Sequence, residues 1–306
     1  MFEKIVLVTR KTRLQGLVER FNSRAQAKFY IEHAGGDFGD YLQEDEAYAR
    51  SLEVLHRGLD VGLKVQQVER GFVPTFLFSE KDLVVAVGQD GLVANVAKYV
   101  GAQPIVAVNP DPERFDGVLL PFRTPDAKAA VQRVLEGKAR LRQITLAEAR
   151  LSDGQRLLGF NDLYIGASTH VSARYRIGTG KLQEAQSSSG VLVSTGAGST
   201  GWLSSVFNMA ASLAAFTGGK SGQPMKLAWE DPRLVFVVRE PFASRHSRIG
   251  LAAGVIKPGE SLVLESQMPS GGVIFSDGVE ADALAFNSGA SARIAAAAQR
   301  TQLVIG

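Results

Sequence analysis

Val84-Val85-Ala86-Val87-Gly88-Gln89-Asp90-Gly91-Leu92 is the stretch that decides the fold. Its apolar run is strand-length and ends in glycine, and helical spacing resumes over Leu92–Val100. A fully apolar strand that turns sharply into a helix belongs to a parallel sheet with helices on both faces. The turn therefore lies at the carboxyl end of a parallel strand, where open α/β sheets hold their ligands.

The chemistry of the turn follows from its residues. Gly88 and Gly91 let a phosphate approach the backbone, and the helix N-terminus behind them offers free N–H groups to an anion. Asp90 is a poor phosphate contact, because like charges repel. It suits a base acting on a hydroxyl, or a partner of Mg²⁺. The plainer alternative is Asp90 as a helix cap.

The same alternation extends outward. Ile5–Val8, Leu63–Val68 and Pro104–Val108 read as strands, and Asp45–Leu59 and Pro125–Leu135 as helices, the last closed by Gly137. Residues 1–137 thus form an α/β domain with a parallel sheet. Beyond residue 138 strand patterns dominate: 139–144, 157–158, 163–167, 172–177, 190–194, 235–239, 261–265, 273–275 and 292–296. One helix interrupts them at Thr200–Phe216, followed by a Gly/Ser/Lys-rich loop at residues 218–223. Residues 138–306 form an antiparallel β-rich domain, with the last residues expected to return to the first domain.

The bulk numbers agree. A chain of 306 residues accommodates two domains with ample core. The absence of cysteine excludes disulfides, thiol nucleophiles and Cys-based zinc sites. A net charge of +3 gives no case for nucleic acid, and no apolar run reaches membrane length. Ile5–Val8 reads as a first strand instead of part of a presequence, so a cytoplasmic protein is expected. Charge is uneven near the start. Lys4, Arg10, Lys11, Arg13, Arg20, Arg24 and Lys28 precede Glu32, Asp37, Asp40, Glu44, Asp45 and Glu46. These read as solvated faces, or as an anion-attracting rim.

Three further motifs carry candidate chemistry. Val191-Leu192-Val193-Ser194-Thr195-Gly196-Ala197-Gly198-Ser199-Thr200-Gly201 has the letters of a dinucleotide turn. It lacks the βαβ unit around it and the acidic residue about 20 positions on. Its hydroxyls still suit a nucleotide. Phe160-Asn161-Asp162 places an amide beside a carboxylate, able to hold a ribose diol or base edge, or simply to turn. Asn109-Pro110-Asp111-Pro112-Glu113-Arg114 follows the strand 104–108 at the same sheet edge as Asp90, with Arg114 a phosphate contact or a self-paired charge. Gly35-Gly36-Asp37 resembles the Asp90 turn without a strand before it, and reads as a flexible acidic loop. Ala214–Ser221 lacks the first glycine of a P-loop and follows a helix. His33, His56, His170 and His246 lack metal-ligand spacing, and no Gly-x-Ser-x-Gly elbow or protein-kinase signature is present.

In this order the motifs resemble the NAD kinase family, and most closely its mitochondrial-type branch. Gly88-Gln89-Asp90-Gly91 resembles the family's Gly-Gly-Asp-Gly, and Asn109–Arg114 its Asn-Thr-Asp-Pro-Glu-Arg. Asn161-Asp162 resembles its Asn-Glu pair. Ser188-Ser189-Gly190 through Ser199 is similar to its Ser-Ser-Gly and Thr-Gly-Thr-Gly-Ser segment. Arg239-Glu240-Pro241-Phe242-Ala243-Ser244-Arg245 is similar to its Arg-Glu-Pro-Ile-Ala-Asn-Arg. The likeness spans residues 5 to 285.

The resemblance implies a Rossmann-like first domain, a β-sandwich-like second one and a homodimer. It implies transfer of the ATP γ-phosphoryl group to the 2′-hydroxyl of NAD with Mg²⁺, and nucleotides as the partners. Asp90 would be the base, flanked by Gly88, Gln89 and Gly91. Asn161, Asp162, Thr195, Gly196, Gly198, Ser199, Thr200 and Trp202 would bind nucleotide, and Arg114 and Arg245 would meet phosphate. Three positions depart from the family. Gln89 replaces a glycine and is expected to crowd phosphates or strain the backbone. Leu92 replaces a threonine. Gly201-Trp202 stands where the mitochondrial type has Ala-Trp. The alternatives are a same-fold kinase for a sugar, nucleoside or lipid hydroxyl, and a non-catalytic nucleotide-binding regulator.

Overall fold

The computed structural model describes residues 2–220 and 222–306. The chain forms two compact units, Met1–Arg142 with Gln302–Gly306, and Gln143–Thr301. Ser221, the end of the rejected P-loop stretch, lies outside the described residues.

In the first unit, β1 (Lys4–Thr9), β2 (Lys64–Glu69), β3 (Asp82–Val87), β4 (Pro104–Asn109) and β5 (Phe122–Arg123) form a parallel sheet in the order β2-β1-β3-β4-β5. Every residue of β3 and β4 is buried, as expected for strands covered on both faces. They are accompanied by helices α1 (Arg13–Phe21), α2 (Arg24–His33), α3 (Phe38–Gly58), α4 (Asp90–Ala97) and α5 (Ala127–Leu135). Tyr48 and Leu55 of α3 and Val131 of α5 pack with Ile5, Leu7, Leu83, Val85 and Val106.

Two expectations fail here. The basic stretch 13–33 forms helices α1 and α2, which apolar periodicity did not mark; Thr12 and Gln15 close α1 with a capping box. Residues 35–37 are a loop, as read, but a short one that leads straight into α3. Asp37 is its N-cap and accepts from the Gly39 N–H at 2.7 Å, so the helix begins at Phe38 instead of Asp45.

Most of these charges are solvated, among them Lys11, Arg20, Arg24, Lys28, Glu32 and Glu46, but the two segments meet at one buried carboxylate. Glu44 is 2% exposed and accepts from Arg10 at 2.9 Å and Arg13 at 2.5 Å, and Arg13 also pairs with Asp40 at 2.8 Å. Burial raises the Glu44 carboxyl, and the two guanidinium groups outweigh it, leaving the group below its ordinary value. A depressed carboxylate stabilises the fold above its unfolded pKa and loses that contribution as pH falls through its folded one. Glu44→Gln leaves the largely buried Arg10 without its carboxylate while Arg13 keeps Asp40, and is expected to cost about 1.5–3 kcal/mol in urea unfolding at pH 7. A cost below about 1 kcal/mol would show the network to be dispensable.

The second unit is built from antiparallel ladders. One sheet runs β10 (Leu182–Ser188), β9 (Ala173–Thr179), β14 (Leu262–Ser266), β17 (Ser291–Ile305), with β6 (Arg140–Leu151) pairing β17 and β7 (Arg156–Gly159). The other runs β13 (Ala253–Ile256), β12 (Leu234–Val238), β11 (Val191–Ser194), β8 (Asp162–Ala167), β15 (Gly272–Ser276), β16 (Val279–Ala285). Tyr175, Ile177, Leu262 and Ile294 of the first sheet share one core with Leu163, Ile165, Val193 and Phe236 of the second. Leu203 of α6 (Trp202–Phe216) packs with Leu192 and Val235. This is an α/β unit followed by a β-sandwich-like one. Strand β17 is far longer than expected, and its Gln302 and Leu303 pair in parallel with Pro104 and Ile105 of the first unit. Among the described residues, no helix is long and apolar enough to cross a membrane.

Candidate functional site

In the first unit the strand order reverses between β1 and β3, so the loops after these two strands flank a topological switch point. Gly88-Gln89-Asp90 leaves β3 there. Gln89 is the N-cap of α4 at φ −111°, ψ 166°, ordinary extended backbone, so the expected strain does not exist. Gly88 is fixed by packing: a methyl group on it would stand 2.9 Å from Leu92 Cδ2 and 3.4 Å from Arg10 Cδ. Leu92, which replaces the family's threonine, is 2% exposed and fills this floor. Gly91 faces open space.

Asp90 is the first residue of α4, not its cap, and is half-buried. Its Oδ1 accepts from the Leu119 N–H at 2.6 Å, which ties the catalytic candidate to the loop after β4. That loop is organised by Asn109, whose Oδ1 accepts from Asp111 N–H at 3.1 Å and whose Nδ2 donates to Phe115 O at 2.9 Å. The Gly88 N–H bonds Val108 O at 3.2 Å, so both loops leave the sheet together. Tyr48 supports the same edge: its hydroxyl accepts from Arg10 N–H at 2.9 Å and donates to Val87 O at 3.0 Å. Arg114 differs from expectation. Its guanidinium is committed to Asp40 and, at 3.3 Å, to Asp111, so it braces the loop instead of facing phosphate.

In the second unit the Phe160-Asn161-Asp162 backbone is held on both sides. Its carbonyls face the glycine turn after β11. Thr195 Oγ1 donates to Phe160 O at 2.6 Å and Asn161 O at 3.2 Å, and Thr195 N–H bonds Asn161 O at 2.9 Å. Its N–H groups face Asp277, which accepts from Phe160 at 2.9 Å, Asn161 at 2.6 Å and Asp162 at 3.3 Å.

The glycine turn therefore works differently from the sequence reading. A methyl group on Gly198 would overlap the Asn161 carbonyl, and one on Gly196 the Ala228 carbonyl. These glycines exist for backbone packing. Thr195 is fully buried and Ser199 is 3% exposed, its hydroxyl donating to Gly196 O at 2.7 Å. Thr195 supports the Asn161 loop, whereas Ser199 ties the turn to itself and to Leu227. Thr200 is exposed and Trp202 half-buried. Arg245 is exposed on the loop whose Phe242 and Arg248 amides bond β10.

Beside this loop lies a cavity of about 470 Å³, lined by Tyr164, Ser189, Trp202, Arg239, Phe275 and Glu280 among others. Tyr164 stacks with Trp202 (5.9 Å between centroids, 11° between planes) and with Phe275 (4.8 Å, 30°). The Arg239 guanidinium sits 5.3 Å from the Trp202 ring. An aromatic wall with a cation suits a planar, partly anionic ligand such as a nucleotide. Of these residues the sequence reading named Trp202 as a nucleotide contact and Ser189 and Arg239 only within motifs, and it missed Asp277. The Asp277-Gly278 pair between two strand patterns is a hairpin-turn signal that could have found the latter.

Asp162 is 7% exposed. Burial, and secondarily the charge of Asp277, push its carboxyl up to about 7. The native state then holds a proton that the unfolded chain has already lost above its ordinary carboxylate range. Stability falls as pH rises from there through about 7. Asp162→Asn is expected to remove that loss and to stabilise the fold at pH 8 by a few kcal/mol, up to about 4. Equal unfolding midpoints at pH 8 would contradict it. Among the described residues, no group of three or more His, Cys, Asp or Glu side chains could hold a metal.

No family model matches the chain. It is 24% identical over 316 residues to NAD kinase 2, mitochondrial, of Rattus norvegicus, covering 79% of this chain and 74% of that one. It is 25% identical to the Homo sapiens protein of the same name, covering 79% and 71%. The fold is similar to yeast NADH kinase complexed with NADH (TM-score 0.59, 16% identity, 100% and 84% covered). It is also similar to an NAD kinase from Archaeoglobus fulgidus in complex with ATP (TM-score 0.55, 15% identity, 98% and 93% covered). With its motifs in the order found in the NAD kinases and a fold shared with these two solved kinases, the chain is similar to the NAD kinase family in both sequence and fold.

Proposed function

We propose that this protein transfers the γ-phosphoryl group of ATP to the adenosine-ribose 2′-hydroxyl of NAD, giving NADP. The observation that carries the reading is Asp90, a half-buried carboxylate at the end of a buried parallel strand, in the first turn of α4 and anchored by the Leu119 amide. Phosphoryl transfer asks mainly for positioning and charge neutralisation, with one base to orient the hydroxyl. Asp90 accepts the proton of the 2′-hydroxyl as the new oxygen–phosphorus bond forms and the bond from the γ-phosphorus to the bridging oxygen breaks, releasing ADP. Asn161 and Asp162 hold the adenosine portion on a backbone fixed by Thr195 and Asp277. The Trp202 cavity takes a planar ring of the dinucleotide.

A Mg²⁺ ion fits as one carried mainly by nucleotide phosphates, because the protein supplies isolated carboxylates instead of an enclosing set. Asp90 is the residue that would meet it, and the ion would neutralise phosphate charge. The alternative acceptors rested on Gln89 and Leu92. Unstrained backbone at Gln89 and a packed Leu92 remove the reason to prefer them.

A homodimer and a cytoplasmic location belong to the same proposal; light scattering and cell fractionation test them. The reaction is tested by incubating the purified protein with Mg-ATP and NAD⁺ and detecting NADP⁺ with an NADP-specific dehydrogenase. Steady NADP⁺ formation is expected. Phosphorylation of a sugar or nucleoside but not of NAD⁺ under matched conditions would overturn the assignment.

A further inference from the structure

Asp277 lies in a two-residue turn between β15 and β16, at φ 54° and followed by Gly278 at φ 68°. Two successive left-handed residues make the tight hairpin turn that Asp-Gly favours. The turn alone needs no carboxylate, since Asn-Gly forms it equally well. Yet the Asp277 carboxylate gathers three consecutive amides, those of Phe160, Asn161 and Asp162, at 2.9, 2.6 and 3.3 Å. The Asp277 amide in turn bonds Asp162 O at 3.2 Å. Three convergent N–H groups form a concavity suited to an anion, and bonds to an ionised acceptor are stronger than neutral ones.

The opposite side of the same peptide units is equally committed. Thr195 binds the Phe160 and Asn161 carbonyls, and the Asn161 carbonyl occupies the space a side chain on residue 198 would need. Ser194 is the registered neighbour of Asp162 on β11, so that neighbour adds no charge there. Asp277 is the charge that acts on the buried Asp162 carboxyl.

We propose that Asp277 is a positioning residue: its ionised carboxylate clamps the Phe160–Asp162 amides and thereby presets Asn161 and Asp162 for the nucleotide. The proposal deepens the reading of Asn161-Asp162 as a nucleotide contact and rests on it. Asp277 itself acts through the loop and need not touch substrate.

Asp277→Asn tests it, because it keeps the shape and the turn while removing the charge. In the ligand-free protein, carbon-13 NMR is expected to show Asp162 titrating near neutrality in the parent. In Asp277→Asn that titration moves toward the ordinary carboxylate range. Amide exchange at Phe160, Asn161 and Asp162 accelerates about tenfold or more in the variant. By calorimetry, NAD⁺ affinity falls about tenfold, while kcat changes less than about threefold.

Unchanged Asp162 titration together with unchanged amide protection would overturn the clamp. Altered titration and protection in a protein whose parent does not bind NAD⁺ would retain the clamp and overturn the nucleotide reading instead. If Asp277→Asn does not fold, the parent decides: unprotected 160–162 amides and an Asp162 that titrates as an ordinary carboxylate would refute the proposal.

Discussion

Asp90→Asn is expected to lower NADP⁺ formation by about 10²–10⁴-fold, the usual contribution of a general base. NAD⁺ affinity is expected to stay within about threefold of the parent. The substitution is well suited to the question. Asn retains a carbonyl oxygen where Asp90 Oδ1 accepts the Leu119 N–H, so the loop after β4 keeps its anchor. The charge and the proton-accepting ability are what is lost. Asp90→Ala loses the anchor as well, so a further drop in NAD⁺ affinity with Ala would separate the two roles. Turnover by Asp90→Asn within tenfold of the parent would mean that another group serves as base.

Gly198→Ala is expected to lower stability strongly. The added methyl group meets the Asn161 carbonyl, a backbone atom that is itself held by Thr195 and cannot move aside. Overpacking against a fixed backbone costs about 3 kcal/mol or more. The displaced loop also carries Asn161 and Asp162, so NAD⁺ affinity falls with stability. Gly91→Ala is the control. It lies at the start of α4 and faces open space, so its effect on unfolding stays within about 1 kcal/mol of zero. Equal unfolding midpoints for Gly198→Ala and the parent would contradict the packing account of the glycine turn.

These two glycines show what the residues alone could and could not reveal. The strand–turn–helix around Val84–Leu92 was legible, because the unbroken apolar run Leu83–Val87 ending in glycine has few other readings. The sandwich was legible through its buried central strands such as β8 and β11. Strands β10, β13 and β16 escaped notice, and all three lie at sheet ends. Edge strands carry polar residues such as Gln183 and Glu184, or a glycine such as Gly254, and so lack an apolar run. Helices α1 and α2 escaped for a related reason, since only Leu14, Ala27 and Ile31 of them are buried.

At the site, the residue types were readable but their roles were not. Gly196 and Gly198 look like a phosphate cradle in sequence and are demanded by carbonyls of Ala228 and Asn161, which lie more than 30 residues away. Thr195 and Ser199 look like ligand hydroxyls and are buried braces. Arg114 looks like a phosphate contact and is taken up by Asp40, 74 residues distant. Such contacts are tertiary, so no local pattern encodes them.

The central claim, a 2′-phosphoryl transfer to NAD, is tested most directly by phosphorus-31 NMR of the products formed from Mg-ATP and NAD⁺. ADP together with a new phosphomonoester resonance matching the 2′-phosphate of NADP⁺ is the expected result, with both formed about 10²-fold or more slowly by Asp90→Asn. ATP unchanged in the presence of NAD⁺, or a phosphoester on any other hydroxyl, would contradict it.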